Sequence, residues 1–236
     1  MKKTIQWLLL PAAVIMSLSV TAQTADEVIN KYIDAIGGKE KLKQITSLSM
    51  EGSVQVMGNE NPTTVTILNG KGYKSESQFN GQKMIQCYTD KGGWTVNPMN
   101  GGNAEAMPED MYNSGKDQID IGGALLDYAA KGSTVTLQGK EGNAYKLVLT
   151  TKDKVSTTYL VDANTYYITA VMKKGNMMGQ PIDITINLSD YKKADNGIAL
   201  PYTINTDLGG QFALTTTIKK VDVNKPVDAA AFAMPK

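Results

Sequence analysis

Residues 47–56 read SLSMEGSVQV. Leu48, Met50, Gly52, Val54 and Val56 hold every second position, with Ser49, Glu51, Ser53 and Gln55 between them. Successive side chains of a pleated strand point to opposite faces, so this alternation predicts a strand with one buried face. The same period recurs downstream. Thr63 to Leu68, Tyr73 to Phe79, Lys83 to Thr89 and Trp94 to Val96 alternate, separated by turns at Gly58 to Pro62, Asn69 to Gly72, Asn80-Gly81 and Lys91 to Gly93. Asn80-Gly81 is a two-residue hairpin signal. Connections this short predict an antiparallel meander.

The period of two resumes at Thr134 to Gln138 and continues through Ala144 to Thr150, Val155 to Val161, Tyr166 to Lys173, Ile182 to Tyr191, Tyr202 to Thr206 and Phe212 to Val223. The stretch DNGIALPYTIN, residues 195–205, reads as a turn closed by Pro201, with the next strand opening at Tyr202. Proline cannot donate to a sheet ladder, so a strand running straight through it is not expected.

Two segments depart from this period. Thr24-Ala25-Asp26-Glu27 reads as a capping box, followed by Val28, Ile29, Tyr32, Ile33 and Ile36 at helical spacing and stopped by Gly37-Gly38. Lys39 to Ile45 continues as a short second helical piece. In the middle, Asn97 to Asp117 is rich in Gly, Asn, Pro and Met and has no period. Ile119, Ile121, Leu125, Leu126, Tyr128 and Ala129 then suggest a helix, weakened by Gly122-Gly123 and ending at Gly132. Residues 97–130 are therefore expected to form a lid.

The fold class that follows is mainly β, within α+β: one large antiparallel sheet over residues 23–236. A sheet of about eleven strands curls under its own twist, giving an open half-barrel. The N-terminal helix and the central helical lid would plug it.

Residues 1–22 read differently. Lys2 and Lys3 precede an apolar run from Trp7 to Val20, and Val20-Thr21-Ala22 offers small residues for cleavage, so Gln23 is the expected first residue of the exported form. The run is too short to span a bilayer. The expected location is the periplasm. Removing Lys2 and Lys3 from 24 basic residues leaves 22 against 23 acidic ones, which is no footprint for nucleic acid.

Composition narrows the chemistry further. The chain has no histidine and no arginine; all its basic residues are lysine. The commonest general base and metal ligand are missing, and so is the bidentate phosphate clamp. No Ser-His-Asp or Cys-His arrangement can be built, and an enzyme is not expected. No cofactor or metal is expected either: Glu109, Asp110, Asp117 and Asp120 lack the spaced, glycine-containing loop of a calcium site. Cys87, the sole cysteine, reads as a buried inert thiol. The lysine pairs at 173–174, 192–193 and 219–220 read as solvated strand ends.

Several stretches carry a family resemblance. ADEVINKYIDAIGGKEKLKQITSLSMEGSV (25–54) is similar to the opening helix and first strand of a secreted branch of the LolA-like superfamily, the periplasmic lipoprotein-localisation carriers. GGWTVNP (92–98) resembles the tryptophan-bearing strand before that family's helical insertion, and YLVDANTYYITAVM (159–172) one of its hairpins. LSDYKKADNGIALPYTI (188–204) and VDVNKPVDAAAFAMP (221–235) resemble its late strands and C-terminal signature. The resemblance covers nearly all of residues 25–235. It implies a non-catalytic carrier or chaperone that shields lipid or lipoprotein acyl chains and hands them to an acceptor protein at the outer membrane. It also implies an apolar site, for which Trp94, Met99, Met107, Met111, Leu125 and Tyr128 are the candidates. Trp94 fits core packing as well, and the methionines fit a loosely packed loop as well as an adaptable acyl-chain surface. The best-known carriers hold their lid with an arginine; this chain has none, so it binds another apolar ligand or latches differently. The alternative is a protein-interaction or envelope-sensor module with a collapsed cavity.

Overall fold

The computed structural model describes residues 23–177 and 180–235. The expected signal peptide, residues 1–22, lies outside the described residues, as does Met178 of the methionine pair at 177–178.

Helix α1 (Ala25–Ala35) opens as its sequence dictates. The Thr24 hydroxyl accepts from the Glu27 backbone N–H and the Glu27 carboxylate from that of Thr24, which satisfies two of the helix's free donors. Helix α2 (Lys39–Lys43) follows after Gly37 and Gly38, both at positive φ.

The strands are β1 (Ser47–Val56), β2 (Asn59–Leu68), β3 (Gly72–Phe79), β4 (Gln82–Thr89), β5 (Gly92–Val96), β6 (Ala104–Ala106), β7 (Thr134–Glu141), β8 (Ala144–Thr150), β9 (Ser156–Asp162), β10 (Ile168–Met177), β11 (Gln180–Lys193), β12 (Ala199–Leu208) and β13 (Phe212–Val223). They form one 13-stranded sheet in the order β6-β5-β4-β3-β2-β1-β13-β12-β11-β10-β9-β8-β7. Every pairing is antiparallel. The sheet is open: its free edges, β6 and β7, are consecutive in the chain, and residues 107–133 join them. The β1–β13 pair, Leu48↔Val223 to Val56↔Leu214, welds the two halves together.

Two prolines sit inside strands that the sequence reading starts after them. Pro62 pairs with Ser53 one residue beyond the last β2–β3 pair, Thr63↔Ser77. Pro201 pairs with Tyr191 two residues before β13 joins β12 at Thr203↔Thr217. Each lies where its strand has a partner on one side only, the sheet position proline tolerates. Opposite Pro201 the chain bends at Asp190, whose φ is +55.

The central segment also differs from expectation. The helix there is α3 (Glu109–Gly115), followed by a 3-10 turn at Lys116–Ile119. Residues 121–132 form consecutive turns instead of the expected helix. Gly123 at φ +67 and Asp127 at φ +53 interrupt any helical run, so the apolar spacing there serves irregular packing.

The main core lies on the inner face. Val28, Ile29 and Ile33 of α1 and Ile36 just after it pack with Leu48, Val65 and Ile67 from one half of the sheet and Tyr145, Leu147, Leu149 and Val161 from the other. Leu147 is fully buried. Leu147→Ala should lower the unfolding free energy by about 2–5 kcal/mol, read as a shift in urea midpoint at unchanged slope.

Candidate functional site

Residues 107–133 do more than connect two edges. Met107 starts at the β5 edge, its N–H donating to the Gly93 carbonyl at 2.9 Å. Helix α3 then crosses toward the other half, where Lys173 of β10 donates to the Ser114 carbonyl at 2.9 Å and Lys116 pairs with Asp153. The chain returns to the β2–β3 turn: the Gly70 N–H donates to the Ile119 carbonyl at 2.9 Å and the Ile121 N–H to the Asn69 side chain at 3.1 Å. It finally runs beside α1. There Asp127 pairs with Lys39 and with Lys43 (3.0 Å), and the Tyr128 hydroxyl donates to Asp26 at 2.6 Å. The connector is thus strapped across the inner face by lysines, backbone and one tyrosine.

Between α1 and residues 125–130 runs a groove of about 530 Å³. Ile29, Ile33, Leu125 and Leu126 give it an apolar floor, and Asp26, Asp34, Lys39 and Asp127 a charged margin. Hydrogen bonds from Lys39 and then Lys43 hold the Asp127 carboxyl below its ordinary pKa. The bond to Asp26 raises the Tyr128 phenol. Under α3, burial raises Asp117 and lowers Lys173, two opposite charges at the contact between connector and sheet. Lys173 is therefore not the solvated strand end expected of a lysine pair. Alternation sends Lys174 to solvent, where it pairs with Asp183 at 2.5 Å, and Lys173 inward. That alternation is the signal that would have found it.

The six candidate residues separate. Leu125 and Tyr128 line the groove. Met107 is buried over Gly93, where an added Cβ would lie 2.7 Å from its sulfur. Met111 is partly buried on α3. Met99 is 70% exposed and away from the groove. Trp94 corrects the expectation of cavity lining. It pairs with Cys87, one residue out of phase with the inward-facing Tyr88, and so points to the outer face. There Ile85, Cys87, Trp94, Val96 and Phe232 form a second core. The indole N–H donates to the Phe232 carbonyl at 2.8 Å and the Cys87 thiol lies 3.4 Å from the same oxygen. The Phe232 ring rests on Gly72, where a Cβ would meet it at 2.6 Å. Among the described residues, no group of three or more His, Cys, Asp and Glu side chains is placed to hold a metal. No helix there is long and apolar enough to cross a membrane.

No family model matches the chain, and no curated protein matches its sequence significantly. Solved structures do. A domain described as an outer membrane lipoprotein-sorting protein domain, from Vibrio parahaemolyticus, has 11% identity and a TM-score of 0.55, covering 87% of this chain and 94% of its own. A DUF1329 family protein from Desulfovibrio piger has 12% identity and a TM-score of 0.58, covering 88% and 96%. A LolA superfamily protein from Nitrosomonas europaea has 10% identity and a TM-score of 0.58, covering 90% and 98%. The chain has the LolA-like fold its sequence suggests.

Burial pushes the Cys87 thiol up to about 11 from 9.0, and the Tyr73 and Tyr88 phenols to about 12 from 10.0. A raised pKa keeps these groups neutral in the fold. Their contribution is complete below about pH 9, falls as pH rises from the ordinary values of 9.0 and 10.0 toward the folded ones of about 11 and about 12, and changes no further above them. The urea midpoint should therefore fall steadily over that range. Phe232→Ala should expose the outer core. In the form starting at Gln23, where Trp94 is the only tryptophan, emission should shift to the red and Cys87 should react with a thiol reagent that leaves the parent protein unlabelled.

Proposed function

We propose that the protein is an exported, non-catalytic carrier that buries an acyl chain between α1 and the 107–133 connector. The observation that carries this reading is the connector itself. It joins the two free edges of an open sheet, crosses the inner face and borders an apolar-floored groove beside α1. The groove's volume falls within the range of about 300–1,000 Å³ common to small-molecule sites. The LolA-like fold supports the same reading. Residues 1–22 would direct export, with cleavage near Ala22, and the site of action would be the periplasm.

Leu125 and Tyr128, which line the groove, are the residues proposed to meet the ligand first, and Met107 and Met111 those it would reach once the connector lifts. Burying a methylene contributes about 0.8 kcal/mol, so ten methylenes supply about 8 kcal/mol before ordering costs. Opening is the other half of the mechanism. Lys173 to Ser114 and Lys116 to Asp153 are the straps that must release for α3 to lift. An acceptor protein at the outer membrane is the proposed destination.

Native mass spectrometry of the exported form, followed by organic extraction, tests the carrier role. A co-purifying lipid or acylated peptide is the expected result. A clean apo mass, with no uptake of added fatty acid or phospholipid, would sink the carrier reading in favour of a protein-interaction module. Lys116→Ala combined with Lys173→Ala should speed exchange of a fluorescent fatty acid by about threefold to thirtyfold in a folded protein, since both straps are lost together.

A further inference from the structure

Asp127 holds a conformation few residue types accept. Its φ is +53, in the left-handed region, on the turn between Leu126 and Tyr128. Asparagine and aspartate are the side-chain-bearing residues that tolerate it best. The backbone therefore explains a short polar residue here and not its charge. The charge is explained by what it meets. Lys39 pairs with one carboxylate oxygen, Oδ1, and Lys43 with the other, Oδ2, at 3.0 Å. The two lysines stand four residues apart on α2, so they share one face of it, where like charges repel. A single carboxylate serves both ammonium groups.

This cluster sits on the margin of an apolar groove. Leu125 and Leu126, which precede Asp127 in the chain, form the floor with Ile29 and Ile33, and Lys39 and Asp127 themselves line it. The cluster is open to solvent: the side chain of Lys39 is 50% exposed, that of Lys43 49% and that of Asp127 31%. An exchange of partners there uncovers no buried charge. The margin's other carboxylates, Asp26 and Asp34, stand on α1, and Asp26 already accepts from Tyr128. The place where an anion meets two cations is the α2 end.

We propose that the groove takes a single-chain fatty acid, whose carboxylate replaces that of Asp127 between Lys39 and Lys43. The inference rests on the carrier reading and names the ligand class for the same groove. A chain laid along Ile29, Ile33, Leu125 and Leu126 brings its head to the α2 end. There the ligand offers the two ammonium groups the same pair of oxygens they now hold, and the freed Asp127 passes into water. An alcohol or ester head brings no anion and has nothing with which to displace Asp127. The exchange also detaches residues 125–130 from α2, so taking up the ligand and loosening the connector become one event. Asp127 is thus an internal stand-in for the ligand's head.

The test is displacement of the neutral dye N-phenylnaphthylamine from the form starting at Gln23 by dodecanoate and by dodecanol, which share a chain and differ in the head. The readout is the ratio of their affinities, since a variant that merely loosens the connector changes both alike. Lys39→Gln with Lys43→Gln should lower the preference for dodecanoate by about threefold to tenfold, the size expected of two solvent-exposed ion pairs. Asp127→Asn keeps a residue suited to the left-handed turn and removes the competing carboxylate, so it should raise that preference by about threefold. A ratio unchanged in both variants, or displacement by dodecanol alone, would overturn the inference and leave the carrier reading standing. Failure to take up the dye, dodecanoate or dodecanol would overturn both.

Discussion

The structure depends on one burial. Helix α1 is 11 residues long and would be marginal by itself in water. The sheet it lies on cannot close, since β6 and β7 never pair. Each solves the other's problem. Val28, Ile29 and Ile33 cover the inner faces of strands drawn from both halves of the sheet, and those strands give the helix its apolar partner. Without that core the sheet would be two meanders joined only at β1 and β13. With it, an open sheet keeps an inner face that is partly filled and partly available.

The outer face is handled by separate means. Near the β6 edge the C-terminal segment folds over β3 to β5 and plants Phe232 on Gly72, Cys87 and Trp94. One backbone oxygen, that of Phe232, receives both the indole N–H and the thiol. The indole N–H would otherwise be buried without a partner, a cost of about 1–3 kcal/mol, while the thiol is a weak donor that loses little. The two cores share a sheet and not a surface, so the tail stabilises the protein without entering the groove.

How much of this was legible in the sequence follows from what each pattern encodes. The capping box at Thr24 and Glu27 and the alternation in residues 47–56 are local, and both elements form where expected. Alternation also says that Trp94 and Thr95 face opposite ways. It does not say which way is inward, because that depends on where α1 lies. The sequence therefore leaves Trp94 open between the cavity and a core, and the structure puts it in the outer-face core. Lys173 was hidden by its neighbour, since a lysine pair looks solvated until one asks where each side chain of a strand must point. The central helix was misplaced because the spacing of Ile121, Leu125 and Leu126 serves a series of turns as well as a helix. Pro62 and Pro201 read as strand boundaries because ladder bonds were assumed on both sides. Meeting the residues of the groove required α1 and residues 125–130 to come together across a hundred residues of chain.

The weld between β1 and β13 has a consequence in time. Leu48 pairs with Val223, and the Trp94 indole reaches an oxygen 138 residues further along. Neither contact can form until nearly the whole polypeptide has emerged. Until then β1 presents an unpaired edge and the β3–β5 outer face lies bare, both of them surfaces on which chains stick to one another. Among the described strands, eleven of the twelve pairings join neighbours in sequence, so forming the β1–β13 pair is the long-range step of folding. The newly made chain is thus at its most vulnerable while its last strand is still arriving, and the order of synthesis leaves it no earlier moment to become safe.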